Sequence, residues 1–348
     1  MISIIIGTRP EAIKMAPVIL ECRKRDINHR VITTGQHKEL LHDALDMFNI
    51  APDIDIGVMT HDQTPVDVIA AALPALYSYI TDVHSTTVVL AQGDTTTVLA
   101  AAMAAFHARV PFGHVEAGLR THDMSQPFPE EYNRRAASIG ATWNFAPTEM
   151  AVSNLIHEGV PPHTIFNVGN TVVDAVNYIL ERYPPLRTAR KYALVTCHRR
   201  ENRGDNMANI FSAVNDAALA MPGMEFIAPL HPSPAVQQAA RKYLIADNIS
   251  KREAVSYVEC LHLIDGAEFV LTDSGGIQEE AATLGVPTGV LREVTERPEG
   301  IAAGICELLG SNRAAIYDWA VNPKIDTSPV NVYGDGTSAV QIVDRITL

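Results

Sequence analysis

The chain has 348 residues, 47% of them hydrophobic and 19% charged, an ordinary globular mix with room for two buried cores. A net charge of −13 argues against nucleic acid as a partner, though a local basic pocket for a phosphate is still allowed. The four cysteines, Cys22, Cys197, Cys260 and Cys306, show no CxxC spacing, so free thiols, no metal and a reducing, cytoplasmic compartment are expected.

The opening apolar run is too short for a signal peptide, and no later run reaches membrane-spanning length, so no membrane association is expected. Residues 2–6 form a continuous apolar run, the pattern of a strand buried on both faces in a parallel sheet. The run stops at Gly7-Thr8-Arg9-Pro10, and a helix pattern follows over 11–22, which makes a first βα unit carrying Arg9 and Lys14. A second strand, 30–34, ends in Gly35-Gln36-His37 before a helix over 38–48. Residues 66–80 keep helical periodicity despite Pro74, and a strand over 87–91 ends in Gln92-Gly93-Asp94 ahead of an alanine-rich helix over 98–107.

The strand 111–116 carries His114 and Glu116 at its end, and Glu130 opens the helix that contains Arg134. A carboxylate at a helix start has a structural excuse, since it complements the dipole. Asp94, Glu116 and Glu130 on successive connections are more than one excuse. Parallel strands gather their carboxyl ends, so the three acids should face one crevice with Arg9 and Lys14, where clustered charges separate pKa values as acid/base chemistry requires. Residues 143–146 are expected as the last strand of the first domain, and Tyr183-Pro184-Pro185 as a break.

The βα rhythm restarts at 192–197, whose strand ends in His198-Arg199-Arg200-Glu201-Asn202-Arg203. A histidine there among three arginines suits phosphate contact or proton transfer. A further strand, 225–229, ends near His231. The stretch 268–300 then runs from an apolar strand through Thr272-Asp273-Ser274-Gly275-Gly276 into a helix over 277–284. A helix start offers unpaired N–H groups and a positive dipole end, and glycines let an anion approach the backbone, so a nucleotide-phosphate site is expected here. Glu280 sits one turn inside, within reach of ribose hydroxyls, and a charged turn with Arg292 and Arg297 follows the strand 287–291. From 300 to 309 the chain reads as helical, and a terminal helix spans 338–346.

These blocks, from Gly7–Lys14 through Gln92–Thr97, His114–Thr121, His198–Asn202 and Thr272–Glu280 to Tyr333–Gly336, resemble the non-hydrolysing UDP-N-acetylglucosamine 2-epimerases over nearly the whole chain. The resemblance implies an α/β fold of two Rossmann-like domains in a glycosyltransferase-B arrangement, with the active site in the interdomain cleft. The expected divisions are 1–169, 170–335 and a C-terminal helix, 336–348, packing back on the first domain. It implies a UDP-sugar substrate, no cofactor and a homodimer. It assigns acid/base work to Asp94, Glu116 and Glu130, assisted by Lys14 and His198. UDP binding falls to Arg9, Arg134, Ser274, Gly275, Gly276, Glu280 and Arg297, with Tyr257 as the aromatic nearest Cys260. Gln36, His37 and His231 fit the pattern of a second, activating substrate site. The reaction implied inverts carbon 2 by anti elimination of UDP and re-addition through 2-acetamidoglucal. A 2-epimerase of a modified UDP-2-acetamido sugar, a retaining UDP-sugar transferase and a UDP-sugar sensor are the alternatives.

Overall fold

The computed structural model describes residues 1–35, 38–58, 60, 63–82, 86–185, 191–323 and 331–348. It divides into two units, Met1–Ile179 with Tyr333–Leu348, and Leu180–Val332. Both are parallel α/β sheets with helices, two Rossmann-like domains.

The first unit alternates β1 (Ile2–Ile6), α1 (Arg9–Lys24), β2 (His29–Thr33), α2 (Lys38–Asp46), β3 (Ile54–Asp55), α3 (Pro65–Asp82), β4 (Val88–Gln92) and α4 (Thr96–Ala108). It continues with β5 (Phe112–Val115), α5 (Glu130–Ile139), β6 (Trp143–Ala146), α6 (Glu149–His157), β7 (Ile165–Asn167) and α7 (Thr171–Arg182). The strand order is β3-β2-β1-β4-β5-β6-β7, so the chain reverses direction across the sheet between β1 and β4. Ile4 is in register with Val31 on one side and Leu90 on the other. Strands flanked on both sides and covered on both faces cannot alternate apolar with polar, and β1 and β4 are accordingly buried throughout. Ile5, Ile32, Val89 and Ala91 pack with the alanines of α4 and with Ala72, Leu76 and Ile80 of α3. Small side chains on α4 let the two helices approach closely.

The second unit contains β8 (Tyr192–Thr196), α8 (Asp205–Ala220), β9 (Glu225–Pro229), α9 (Pro234–Tyr243), β10 (Ile249–Arg252), α10 (Tyr257–Asp265) and β11 (Phe269–Thr272). It ends with α11 (Gly275–Thr283), β12 (Thr288–Val290), α12 (Pro298–Ala302), β13 (Cys306–Leu308) and α13 (Arg313–Val321). Its order, β10-β9-β8-β11-β12-β13, repeats the reversal between β8 and β11. Phe269 anchors the core, edge-on to Trp319 at 5.5 Å and to Phe226 at 6.2 Å between ring centroids.

Three expectations need correction. The helix expected over 300–309 stops at Ala302, because Gly304 takes a left-handed conformation (φ 77°) and Cys306 then pairs with Thr288 as edge strand β13. The first sheet does not end at β6; β7 adds an edge strand, Asn144 opposite Ile165. The division between units falls at Ile179 rather than 169, since α7 buries Val172, Val176 and Ile179 in the first unit. The C-terminal helix α14 (Ser338–Thr347) belongs to that unit too. The Asn170 N–H donates to the Tyr333 carbonyl at 2.7 Å, the Ala339 N–H to Asp174 at 3.0 Å, and Arg25 on α1 pairs with Asp344. Among the described residues, no helix is long and apolar enough to cross a membrane.

Gly118, in the loop after β5, has φ 95°, and a Cβ there would run into the Ala151 carbonyl. Gly118→Ala combines a disfavoured backbone with a backbone clash. It is expected to lower unfolding free energy by about 2 kcal/mol or more, read as a shift in the urea midpoint.

Candidate active site

In the first unit the loops after β1, β4 and β5 meet at the sheet reversal. The chain leaves β1 at Gly7, where a Cβ would sit 2.5 Å from Thr97 Oγ1, so only glycine lets this loop lie on the start of α4. Thr8 and Glu11 then stand three apart at the start of α1. Glu11 reaches back to accept the Gly7 N–H at 2.6 Å and the Thr8 hydroxyl at 2.9 Å, a variant of the capping box. Burial dominates this carboxylate and, with the nearby charge of Asp94, holds its pKa up at about 7 against the hydrogen bonds that pull it down.

Lys14, one turn further along α1, pairs with Glu116. Their side chains are 8% and 7% exposed, so neither charge is held in place by water alone. Glu116 has φ 65°, a left-handed backbone that a side-chain-bearing residue adopts only under constraint. Asp94, at the end of β4, is half-buried and pairs with Arg134 of α5, while the Asn133 amide donates to the Asp94 carbonyl at 2.9 Å. His114 on β5 is buried, and burial drives its pKa down to about 4. Its Nε2 therefore carries the proton donated to the Gly93 carbonyl at 2.7 Å, and Nδ1 faces Ser138 at 3.1 Å. This neutral imidazole fixes the turn that presents Asp94.

Glu130 is half-buried at the first position of α5. Its neighbour Glu131 is fully buried and accepts the N–H groups of Thr121 at 3.1 Å and His122 at 3.2 Å, besides pairing with Arg135. Adjacent acids thus divide the labour: Glu131 ties the loop after β5 to α5. Arg9 sits half-buried at the N-terminus of α1.

In the second unit the corresponding reversal lies between β8 and β11. Ser274 precedes α11, whose first residues are Gly275 and Gly276. A Cβ on Gly275 would lie 2.5 Å from Arg297 Nη1, so glycine admits the guanidinium against the helix start. A cation beside a positive dipole end needs carboxylates: Arg297 donates to Glu279 at 2.6 Å and pairs with Glu296. Arg292 bridges Glu296 at 2.8 Å and Glu201 at 2.9 Å. Burial would raise the Glu296 pKa, but Arg297, Arg292 and Arg199 outweigh it and hold the carboxyl well below the usual range. A Cβ on Gly276 would meet nothing closer than Glu280 Oε1 at 3.9 Å, which leaves its face open to a ligand.

Glu280 is buried one turn into α11. Tyr257 is only 5% exposed at the start of α10, and its pKa is raised first by burial and then by Glu280. That position suits support of Glu280 better than stacking on an open base. His198 follows β8 with its ring stacked on His231, centroids 5.8 Å apart and planes 11° off parallel. His231 is pushed below its ordinary pKa by partial burial, then by His198 and Arg203. Gln36 and His37 lie outside the described residues. Sequence reasoning passed over Glu11, Glu131 and Asp273. Only Glu11 had left a signal, its capping spacing from Thr8.

The family profile described as UDP-N-acetylglucosamine 2-epimerase matches residues 20–347. The chain is 40% identical to a UDP-N-acetylglucosamine 2-epimerase from Neisseria meningitidis, over 98% of each chain. A crystal structure of UDP-GlcNAc 2-epimerase from Neisseria meningitidis bound to UDP-GlcNAc superposes with a TM-score of 0.90 at 37% identity, covering 99% of both chains. The Methanocaldococcus jannaschii UDP-GlcNAc 2-epimerase in complex with UDP-GlcNAc and UDP gives 0.87 at 33% identity, again over 99% of both.

An unfolded glutamate releases its proton near 4.5, whereas folded Glu11 keeps it to about 7. The fold therefore loses stability as pH rises through that window, by about 3 kcal/mol. Glu11→Gln keeps an acceptor for the Gly7 N–H without the titration. Its stability relative to wild type is expected to rise by that amount between pH 4 and pH 8 in urea titrations.

Proposed function

The chain belongs to the UDP-N-acetylglucosamine 2-epimerase family, and on that premise we propose that it interconverts UDP-N-acetylglucosamine and UDP-N-acetylmannosamine without hydrolysis. The route proposed is anti elimination of UDP and re-addition through 2-acetamidoglucal. The observation that carries it is the set of two ion-paired carboxylates at neighbouring strand ends, Asp94 with Arg134 and Glu116 with Lys14, the second on a constrained backbone.

In the forward step a carboxylate takes the carbon-2 proton while the carbon-1–oxygen bond breaks and its electron pair leaves with UDP. In the return step a proton is delivered to the opposite face of carbon 2 and the UDP oxygen re-forms the bond to carbon 1. The sequence is redox-neutral, so it calls for no oxidising cofactor. A weakly acidic C–H needs a positioned base, and Asp94, Glu116 and Glu130 are the candidates. Paired cations orient the first two until substrate charge competes for Arg134 and Lys14. The leaving diphosphate needs donors where negative charge develops. The start of α11 with Ser274, Gly275 and Gly276 supports that role, with Glu280 for the ribose and His198, Arg297 and Arg9 as further contacts. The same reading has the enzyme act in the cytoplasm as a homodimer. A second substrate held by Gln36, His37 and His231 would activate it.

Proton NMR of the protein with UDP-N-acetylglucosamine in deuterated water tests the route. The manno epimer is expected, deuterated at carbon 2 with UDP still attached; free sugar with UDP would assign hydrolysis instead, and no exchange would overturn the substrate. Asp94→Asn and Glu116→Gln are each expected to lower kcat by about 10²–10⁴-fold with KM moved by no more than about 3-fold.

A further inference from the structure

Asp273 has no part in the assignments above, yet it is the side chain on which the His198 loop is built. It stands at the carboxyl end of β11 with 0% exposure. A carboxylate so placed must be compensated by donors. Its Oδ2 accepts the N–H of His198 at 2.9 Å, the N–H of Arg199 at 2.8 Å and the amide of Asn202 at 3.0 Å. Asn202 in turn donates to the Leu291 carbonyl at 3.0 Å, which ties the loop to the end of the neighbouring strand. One oxygen thus holds three groups of the segment that follows β8. The other, Oδ1, is buried without a hydrogen bond of its own and lies 3.5 Å from His198 Nδ1.

We propose that Asp273 is a positioning residue that fixes both the place and the tautomer of His198, turning Nδ1–H inward and leaving Nε2 as the working atom. The proposal rests on the reading of His198 as the group that assists the departing phosphate. An ionised carboxylate only accepts, so an imidazole nitrogen facing it carries the proton. His231, from the loop after β9, covers one face of the ring and restricts its rotation. The His198 side chain is 41% exposed, so the ring is pinned at one edge and one face while a working edge is left for a ligand. The charges facing it are Asp273 from β11, His231 and, near His231, Arg203, while Arg199, next in its own loop, gives Asp273 a backbone N–H. Of these only Asp273 is an anion, and its Oδ1 faces the Nδ1 edge of the ring. The arrangement is that of a base oriented by a buried third group.

Asp273→Asn separates clamp from tautomer. An amide that keeps its carbonyl on the three donors turns its NH2 toward Nδ1, which can then only accept, and the ring proton moves to Nε2. The measurement is long-range ¹H–¹⁵N correlation of the histidine rings, at a pH where they are neutral, together with kcat and KM. Wild-type His198 is expected to carry its proton on Nδ1, and the variant on Nε2. The variant is expected to lose about 10–100-fold in kcat with KM within about 3-fold. His198→Asn is expected to show no further loss when Asp273→Asn is added. A bare Nδ1 in the wild-type protein overturns the proposal, a result that does not depend on the variant folding. So does a variant with wild-type kcat. A wild-type protein inactive on UDP-N-acetylglucosamine strikes instead at the functional reading and leaves the tautomer to decide on Asp273.

Discussion

A carboxylate taken out of water has to be given donors or a cation, and that requirement organises both units. Glu11, Glu131 and Asp273 are 2%, 0% and 0% exposed, and each accepts at least one backbone N–H of a loop that leaves a strand or enters a helix, beside side-chain donors. Because a buried charge left unpaired costs several kcal/mol, each acid acts as a latch on the segment that satisfies it. The loop after β1, the loop after β5 and the loop after β8 are held in this way. The residues assigned to chemistry, Lys14, Glu116, Asp94 and His198, are carried on or beside those latched segments.

The latches lie where they do because of sheet order. In each unit the first strand is central, and the chain travels outward on one side before crossing to the other. The loops on either side of that reversal run in opposite directions and leave a gap at the carboxyl ends of β1 and β4, and of β8 and β11. Side chains there meet a ligand without having to be accommodated between helices. The two gaps then differ in chemistry. The first holds acids paired with cations, suited to moving protons. The second holds a glycine-opened helix start, an arginine held between Glu279 and Glu296, and an imidazole, suited to holding an anion.

Much of this was legible in the chain itself. Continuous apolar runs ending in glycine and followed by helical periodicity marked β1, β4, β8 and β11 as buried parallel strands, and their carboxyl ends as the place to look. The reading failed where local pattern and pairing conflict. Cys306–Leu308 is too short to show a period, and it is a strand only because Thr288–Val290 offers it an edge. Helix α7 carries no mark of the unit it joins, because that is settled by the burial of Val172, Val176 and Ile179 and by the return of the chain at Tyr333.

The sequence by itself determined the periodicity, the order of the βα units and which residue types stand at the strand ends, since those depend on neighbours a few residues away. It could not rank Glu130 against Glu131, or show that Asp273 rather than Ser274 is the buried residue of its turn. Those distinctions are made by contacts across tens of residues: Glu131 with Thr121, Lys14 with Glu116, Asp273 with His198. Only the tertiary structure decides which acid is surrounded by N–H donors and which is left facing a cation at a strand end. Whether a carboxylate supports the fold or is available for chemistry follows from that environment, not from the residue type.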